Sequence, residues 1–350
     1  MTDLTIALTL LALVVLGGVL AHGLWQTRRA GPRRPGITPT REAGREPVLG
    51  DEAASARGEP SLDLPTPAFE LRPARRAVPR LDALIDAIVP LTVEQPVAGE
   101  TALAHLPATR RAGSKPLLIE GLSAEDGGWE PIAAGQRYSE FQAGVQLANR
   151  TGAINEIEYS EFVQKVQAFA EGIGAMPDFP DMLDVVGRAR ELDGFAGDHD
   201  AQLALRLVAR AAAWSAGYIH QHAQRHGFVA GAVPGRMVLP ADEEGAPPVL
   251  SLSFDAQAAL ADDPDKAAVR TLTLSFDVPQ TDRRGEPFAA WQKRAEALAA
   301  EMDAAVVDDA GRPLPGEGFA AIGGELEQLY AKLEQRDLAA GSAAARRLFS

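Results

Sequence analysis

The sequence predicts an α+β fold, an antiparallel sheet with helices packed on one face, preceded by one transmembrane helix and a disordered linker. Two strands near the end carry the sheet reading. Leu250, Leu252 and Phe254 alternate with Ser251, Ser253 and Asp255, and Leu272, Leu274 and Phe276 alternate with Thr271, Thr273, Ser275 and Asp277. A period of two with apolar residues on one side describes a sheet with one covered and one open face. Helical stripes carry the rest: Phe162, Val166 and Phe169 in Glu161–Gly172, and Leu326, Leu329, Tyr330 and Leu333 in Leu326–Leu338.

The first element is the membrane anchor. Of the 350 residues, Leu4 to Thr27 hold no charged side chain. As a helix that run spans about 36 Å, enough for a hydrocarbon core of about 30 Å. A cleaved secretory signal needs a positive start, whereas the chain opens Met1-Thr2-Asp3. Arg28, Arg29, Arg33 and Arg34 follow the run, with Trp25 at the interface level, so the expected orientation leaves the N-terminus outside and the rest in the cytoplasm. Residues 1–27 are thus assigned to the anchor and residues 28–80 to a tether. Nine prolines and eleven arginines between residues 26 and 80, with neither helical nor strand period, describe a linker that does not pack.

Two α+β regions are expected after it, 81–200 and 201–350. Candidate strands are Leu84–Val93, Pro116–Leu122, Tyr138–Leu147, Ala204–Val208, Arg236–Leu239, Val249–Phe254 and Arg270–Val278. Met182–Leu192, after Pro180-Asp181, and Pro287–Met302, with proline in its first turn, complete the helices. Leu84–Leu122 and Leu203–Leu239 each read strand, short helix, strand, the pattern of a diverged tandem copy. Sequential βα units of an ordinary α+β fold read the same way.

Charge and composition remove several function classes. The formal net charge is −14, and residues 81–350 carry 23 basic against 40 acidic side chains, which argues against a nucleic-acid partner. There is no cysteine, so thiolate nucleophiles and Cys-ligated metals are excluded. His222 and His226 share a helical face in Tyr218–His226, but that stretch holds no carboxylate to complete a metal set. His199-Asp200 lacks the further His and Asp residues that a metal-dependent hydrolase needs. Gly323-Gly324 lacks a following Lys-Ser/Thr, and the acidic pairs Asp262-Asp263 and Asp308-Asp309 read as turns. The expectation is a non-enzyme without cofactor or metal.

Several segments have a specific likeness. His22-Gly23-Leu24-Trp25 before Arg28-Arg29 forms the anchor exit, and His226-Gly227-Phe228 a helix-to-strand turn. Arg270–Pro279 ends a strand in Val-Pro, Phe288–Met302 is a long helix, Ala304–Leu314 reads as a strand and turn, and Leu326–Leu338 is a closing helix. In this order they resemble the ZipA family of bacterial cell-division proteins, over the anchor and roughly residues 200–350. The resemblance implies a membrane-anchored adaptor whose C-terminal domain binds the C-terminal tail of the tubulin-like protein FtsZ across its open sheet face. The residues it places there are Met237, Leu239, Ser251, Ser253, Thr273 and Ser275. The family's face is apolar, whereas here only Met237 and Leu239 are apolar. That leaves open a weak contact on this face, a contact elsewhere, or another partner. The rival readings are a membrane-tethered metal-dependent enzyme using the 218–226 histidines and a non-division envelope scaffold.

Overall fold

A computed structural model describes residues 80–261 and 267–350. The anchor at 4–27, the 28–79 tether and Asp262-Asp263 lie outside the described residues. Among the described residues no helix is long and apolar enough to cross a membrane.

The class is α+β, with every sheet pairing antiparallel. The first half runs β1 (Asp86–Ala98), α1 (Gly99–His105), β2 (Arg111–Ala112), β3 (Lys115–Ser123), β4 (Trp129–Pro131) and β5 (Arg137–Gln146). It continues through β6 (Ala148–Asn149), β7 (Gly152–Ala153), α2 (Glu156–Ile173), β8 (Ala175–Pro177) and α3 (Met182–His199). The second half holds β9 (Gln202–Ala209), α4 (Ala216–Arg225), β10 (Val229–Ala230), β11 (Arg236–Leu239), β12 (Leu250–Ser253), α5 (Ala256–Ala259) and β13 (Thr271–Asp277). A 3-10 turn (Arg283–Gly285), α6 (Pro287–Glu301), β14 (Ala304–Val307), α7 (Gly316–Glu334) and α8 (Ala343–Leu348) follow.

The two halves share one topology. The first sheet has the order β2-β3-β5-β1-β8, with β4 on the outer side of β3, and the second β10-β11-β12-β13-β9-β14. Leaving aside β4 and β10, the order β2-β3-β5-β1-β8 matches β11-β12-β13-β9-β14, with the half's first strand second from one end in each. The stretches that read alike in sequence therefore open two sheets of matching order.

Each sheet covers one face with its helices. Ala87, Val89 and Leu91 of β1 and Phe141, Ala143 and Val145 of β5 are buried in one core with Phe162, Val166 and Phe169 of α2. The Phe141 and Phe169 rings meet edge-on at 5.8 Å. Leu205, Leu207, Leu252, Leu272, Leu274 and Phe276 share a second core with Trp291, Ala295 and Leu298 of α6. The Trp291 indole N–H donates to the Leu274 carbonyl at 2.9 Å, which satisfies its polar edge inside that core.

Helix α2 starts at Glu156, five residues before the expected Glu161, because Asn155 caps it. The Asn155 side chain accepts from the amides of Ile157 and Glu158, each at 3.0 Å, and Glu158 returns a bond to the Asn155 amide at 3.2 Å. We expect Asn155→Ala to cost about 1 kcal/mol, read as a lower urea midpoint with unchanged slope.

Helix α7 and the residues after it bridge the halves. Leu326 and Tyr330 are buried in the second core, while Leu333, Leu338, Ala344, Ala345, Leu348 and Phe349 are buried in the first. The chain's last segment thus returns to the sheet that the chain built first. Arg347 on α8 forms an ion pair with Asp86 of β1, at 2.8 and 2.6 Å, and the Gln146 amide donates to the Arg347 carbonyl at 2.8 Å. Nearby, Arg150 pairs with both Asp200 and Asp277, joining the β6–β7 turn to the start and end of the second half's central pair β9 and β13.

Candidate functional site

Ser251, Ser253, Thr273 and Ser275 are brought together. Strands β12 and β13 pair Ser251 with Ser275 and Ser253 with Thr273, all half-buried on the uncovered face. The rows continue onto β9 at Ala204 and Arg206, and onto β11 at Val238 and Arg236. The Arg236 guanidinium donates to the Ser251 hydroxyl at 2.9 Å. This face therefore offers hydroxyls flanked by two arginines and one valine, suited to the backbone and polar side chains of an extended peptide.

Met237 and Leu239 do not join them. Met237 pairs with Leu252 and Leu239 with Leu250, so both belong to the helix-covered side of β11, and Met237 is fully buried. Strand alternation sends Val238, the residue between them, to the open face. The grouping of all six residues on one face is corrected accordingly.

Leu239 instead lines a cleft. A hollow of about 720 Å³ is walled by Leu239 to Glu243, the 281–285 turn, Arg294 and Arg346. It shares Asp282 and Arg284 with a second hollow of about 760 Å³ lying between the start of α6, α7 and residues 339–342. Local chemistry shapes the turn between them. Asp282 accepts from the Arg284 amide at 2.8 Å and from its guanidinium, and that guanidinium holds the Asp282 carboxyl below its ordinary value. Gly341, at φ 78°, lets its loop approach the turn, where a Cβ would lie 2.4 Å from the Asp282 Cα.

The larger hollow has an apolar floor of Phe288, Leu326 and Ala340 and a charged rim of Asp282, Glu286, Glu327 and Glu334 against Arg283 and Arg284. Both arginines are already paired, Arg283 with Glu327 and Glu334, and Arg284 with Asp282. Arg283 also lies over the Tyr330 ring, 5.0 Å from its centroid. Tyr330 is 3% exposed and its hydroxyl has no hydrogen-bond partner among the described residues; burial pushes its pKa up to about 12. Helix α6 opens here on Glu286, at φ 47°, without a side-chain cap. Sequence reading saw Tyr330 as part of a core stripe and did not single out Arg283 or Phe288, because only the fold sets α7 against the α6 entry.

The histidine reading gains a partner that the local sequence does not show. His222 and His226 both meet Glu301 at the end of α6, at 3.1 and 3.2 Å. The bond from His222, followed by that from His226, holds the Glu301 carboxyl below its ordinary value. The arrangement clamps α4 to α6. Among the described residues no group of three or more His, Asp or Glu side chains is placed to hold a metal ion. His199 and Asp200 part company: His199 bonds the Phe195 carbonyl and stacks on its ring, and Asp200 holds Arg150.

No protein-family model matches the sequence, and no curated protein does.

Proposed function

We propose that the chain is a single-pass inner-membrane adaptor of cell division, which binds the C-terminal tail of FtsZ and ties the division ring to the membrane during septum assembly. The support is the second sheet: six antiparallel strands with helices on one face and a hydroxyl-lined face left uncovered. An extended tail laid there meets Ser251, Ser253, Thr273 and Ser275, with Arg236 at hand for its carboxylates, while Arg206 is held by the Asp308 and Asp309 carbonyls. The anchor expected at residues 4–27 and the acidic domain beyond it suit a protein held near, and repelled from, an anionic leaflet. Many anchored copies on one filament turn weak single contacts into firm attachment. The matching sheet orders support reading the first half as a diverged copy of the second.

The test is fluorescence anisotropy of a labelled FtsZ tail peptide titrated with the full chain in nanodiscs. Saturable binding, weakened about tenfold by Ser253→Asp or Ser275→Asp, is expected, a loss of about 1.4 kcal/mol. Absence of binding up to high micromolar chain overturns the FtsZ assignment. Binding indifferent to both substitutions removes the site from this face.

A further inference from the structure

We propose that the cleft between the α6 entry and α7 is a docking groove for the chain's own arginine-rich segment, residues 69–79. The proposal is independent of what the open sheet face binds.

The described chain begins beside this groove. The Arg80 carbonyl accepts from Arg347 of α8 at 2.8 Å, and α8 starts directly after Ser342, which lines the groove. Five helical residues from Ser342 to Arg347 cover about 7.5 Å. The ten residues preceding Arg80 can extend over about 33 Å. The segment therefore reaches the groove with length to spare, at the high effective concentration of a short tether.

The chemistry is complementary. Residues 69–79 hold Pro73 and Pro79, the apolar Phe69, Leu71 and Val78, and Arg72, Arg75 and Arg76 against one acid, Glu70. The groove rim carries four carboxylates and two guanidinia, and both guanidinia are engaged with carboxylates of that rim. Added guanidinium groups thus meet an excess of negative charge, while a further acid meets repulsion. The floor of Phe288, Leu326 and Ala340 matches prolines and single apolar side chains, the pairing by which proline-rich segments dock on aromatic-lined grooves. Two sets of donors remain for the segment's carbonyls: the Tyr330 hydroxyl, buried and without a partner among the described residues, and the first turn of α6, which no side chain caps there. Because proline has no N–H, Pro73 and Pro79 leave the segment fewer of its own donors to answer its carbonyls. A docked segment shortens the tether by the stretch it immobilises, so the groove sets how far the domain stands from the membrane.

The absence of native cysteine permits a direct test on the full chain in nanodiscs. Ala74→Cys is paired with Ala339→Cys at the exposed groove wall, or with Ala232→Cys in the β10–β11 turn as control. Disulfide formation under mild oxidation is followed by electrophoretic mobility and mass spectrometry. The groove pair is expected to close about tenfold faster than the control pair. Glu327→Lys with Glu334→Lys, both exposed positions, is expected to erase that advantage while circular dichroism stays unchanged. Equal rates for the two pairs overturn the proposal. So does a disulfide formed mainly between chains, which would give the groove to a second copy, or a rate advantage that the lysine substitutions leave intact.

Discussion

A chain ending at Gln335 will not keep its first sheet folded, although every strand of that sheet lies more than 150 residues upstream of the cut. Residues 336–350 deliver Leu338, Ala344, Ala345, Leu348 and Phe349 to the first core, with Leu338 and Leu348 fully buried and Phe349 1% exposed. Each large apolar side chain contributes about 1.5–3 kcal/mol by its burial. The cut also strands Asp86 without Arg347 and frees the Gln146 amide from the Arg347 carbonyl. Together these losses match the whole margin of about 5–15 kcal/mol on which a domain stands. The second core keeps α6, α4 and the upper part of α7. Hydrogen exchange is therefore expected to show unprotected amides across β1, β3 and β5 in the truncated chain while β9, β12 and β13 stay protected. Added peptide 336–350 should restore part of the lost protection. Unchanged protection of β1 and β5 would mean that residues 85–199 close their core alone, and the account of the C-terminal segment would fall.

The same segment marks the limit of what sequence shows. β12 and β13 were legible because apolar and polar residues alternate without interruption, and α2 and α6 because aromatic stripes and a leading proline stand out from their surroundings. In β11, Arg236-Met237-Val238-Leu239 offers three apolar residues in a row, so composition cannot say which face each takes. Pairing of Met237 with Leu252 decides it. Helix α8 is a six-residue Ala/Arg/Leu run whose burial comes from a core built by residues far upstream in the chain. Helix α7 reads as one stripe, yet Tyr330 serves the second core and Leu333 the first. The open hydroxyl face was visible in period-two alternation. The cleft and the Glu301 bridge were not, since their residues come from distant segments, as in the Arg346–Glu243 contact at the cleft edge, 103 positions apart.

Arg347→Ala is expected to cost about 3–5 kcal/mol, the range for breaking a buried ion pair from one side. Asp86 is 1% exposed and both of its oxygens accept from Arg347, so truncation leaves a buried carboxylate whose oxygens keep, among the described residues, only the Asp82 amide as a partner. Replacing both members, as in Asp86→Leu with Arg347→Met, removes the stranded charge and should recover most of the loss. The deficit also carries a pH signature. Burial is the largest influence on Asp86 and raises its carboxyl above the ordinary value, outweighing the lowering by Arg347 despite the short contacts. A group raised in this way contributes most below its unfolded pKa, and the contribution is lost as pH rises through the folded pKa. Without Arg347 the folded pKa climbs further, so the charged carboxylate costs more at neutral pH and the same or less once it is protonated. The gap between wild type and Arg347→Ala in urea unfolding should therefore be widest near neutral pH and narrow on acidification towards the ordinary carboxylate range. A gap that stays constant over that range would show that Arg347 acts through the packing of α8 and its bonds to Arg80, with the Asp86 charge contributing little.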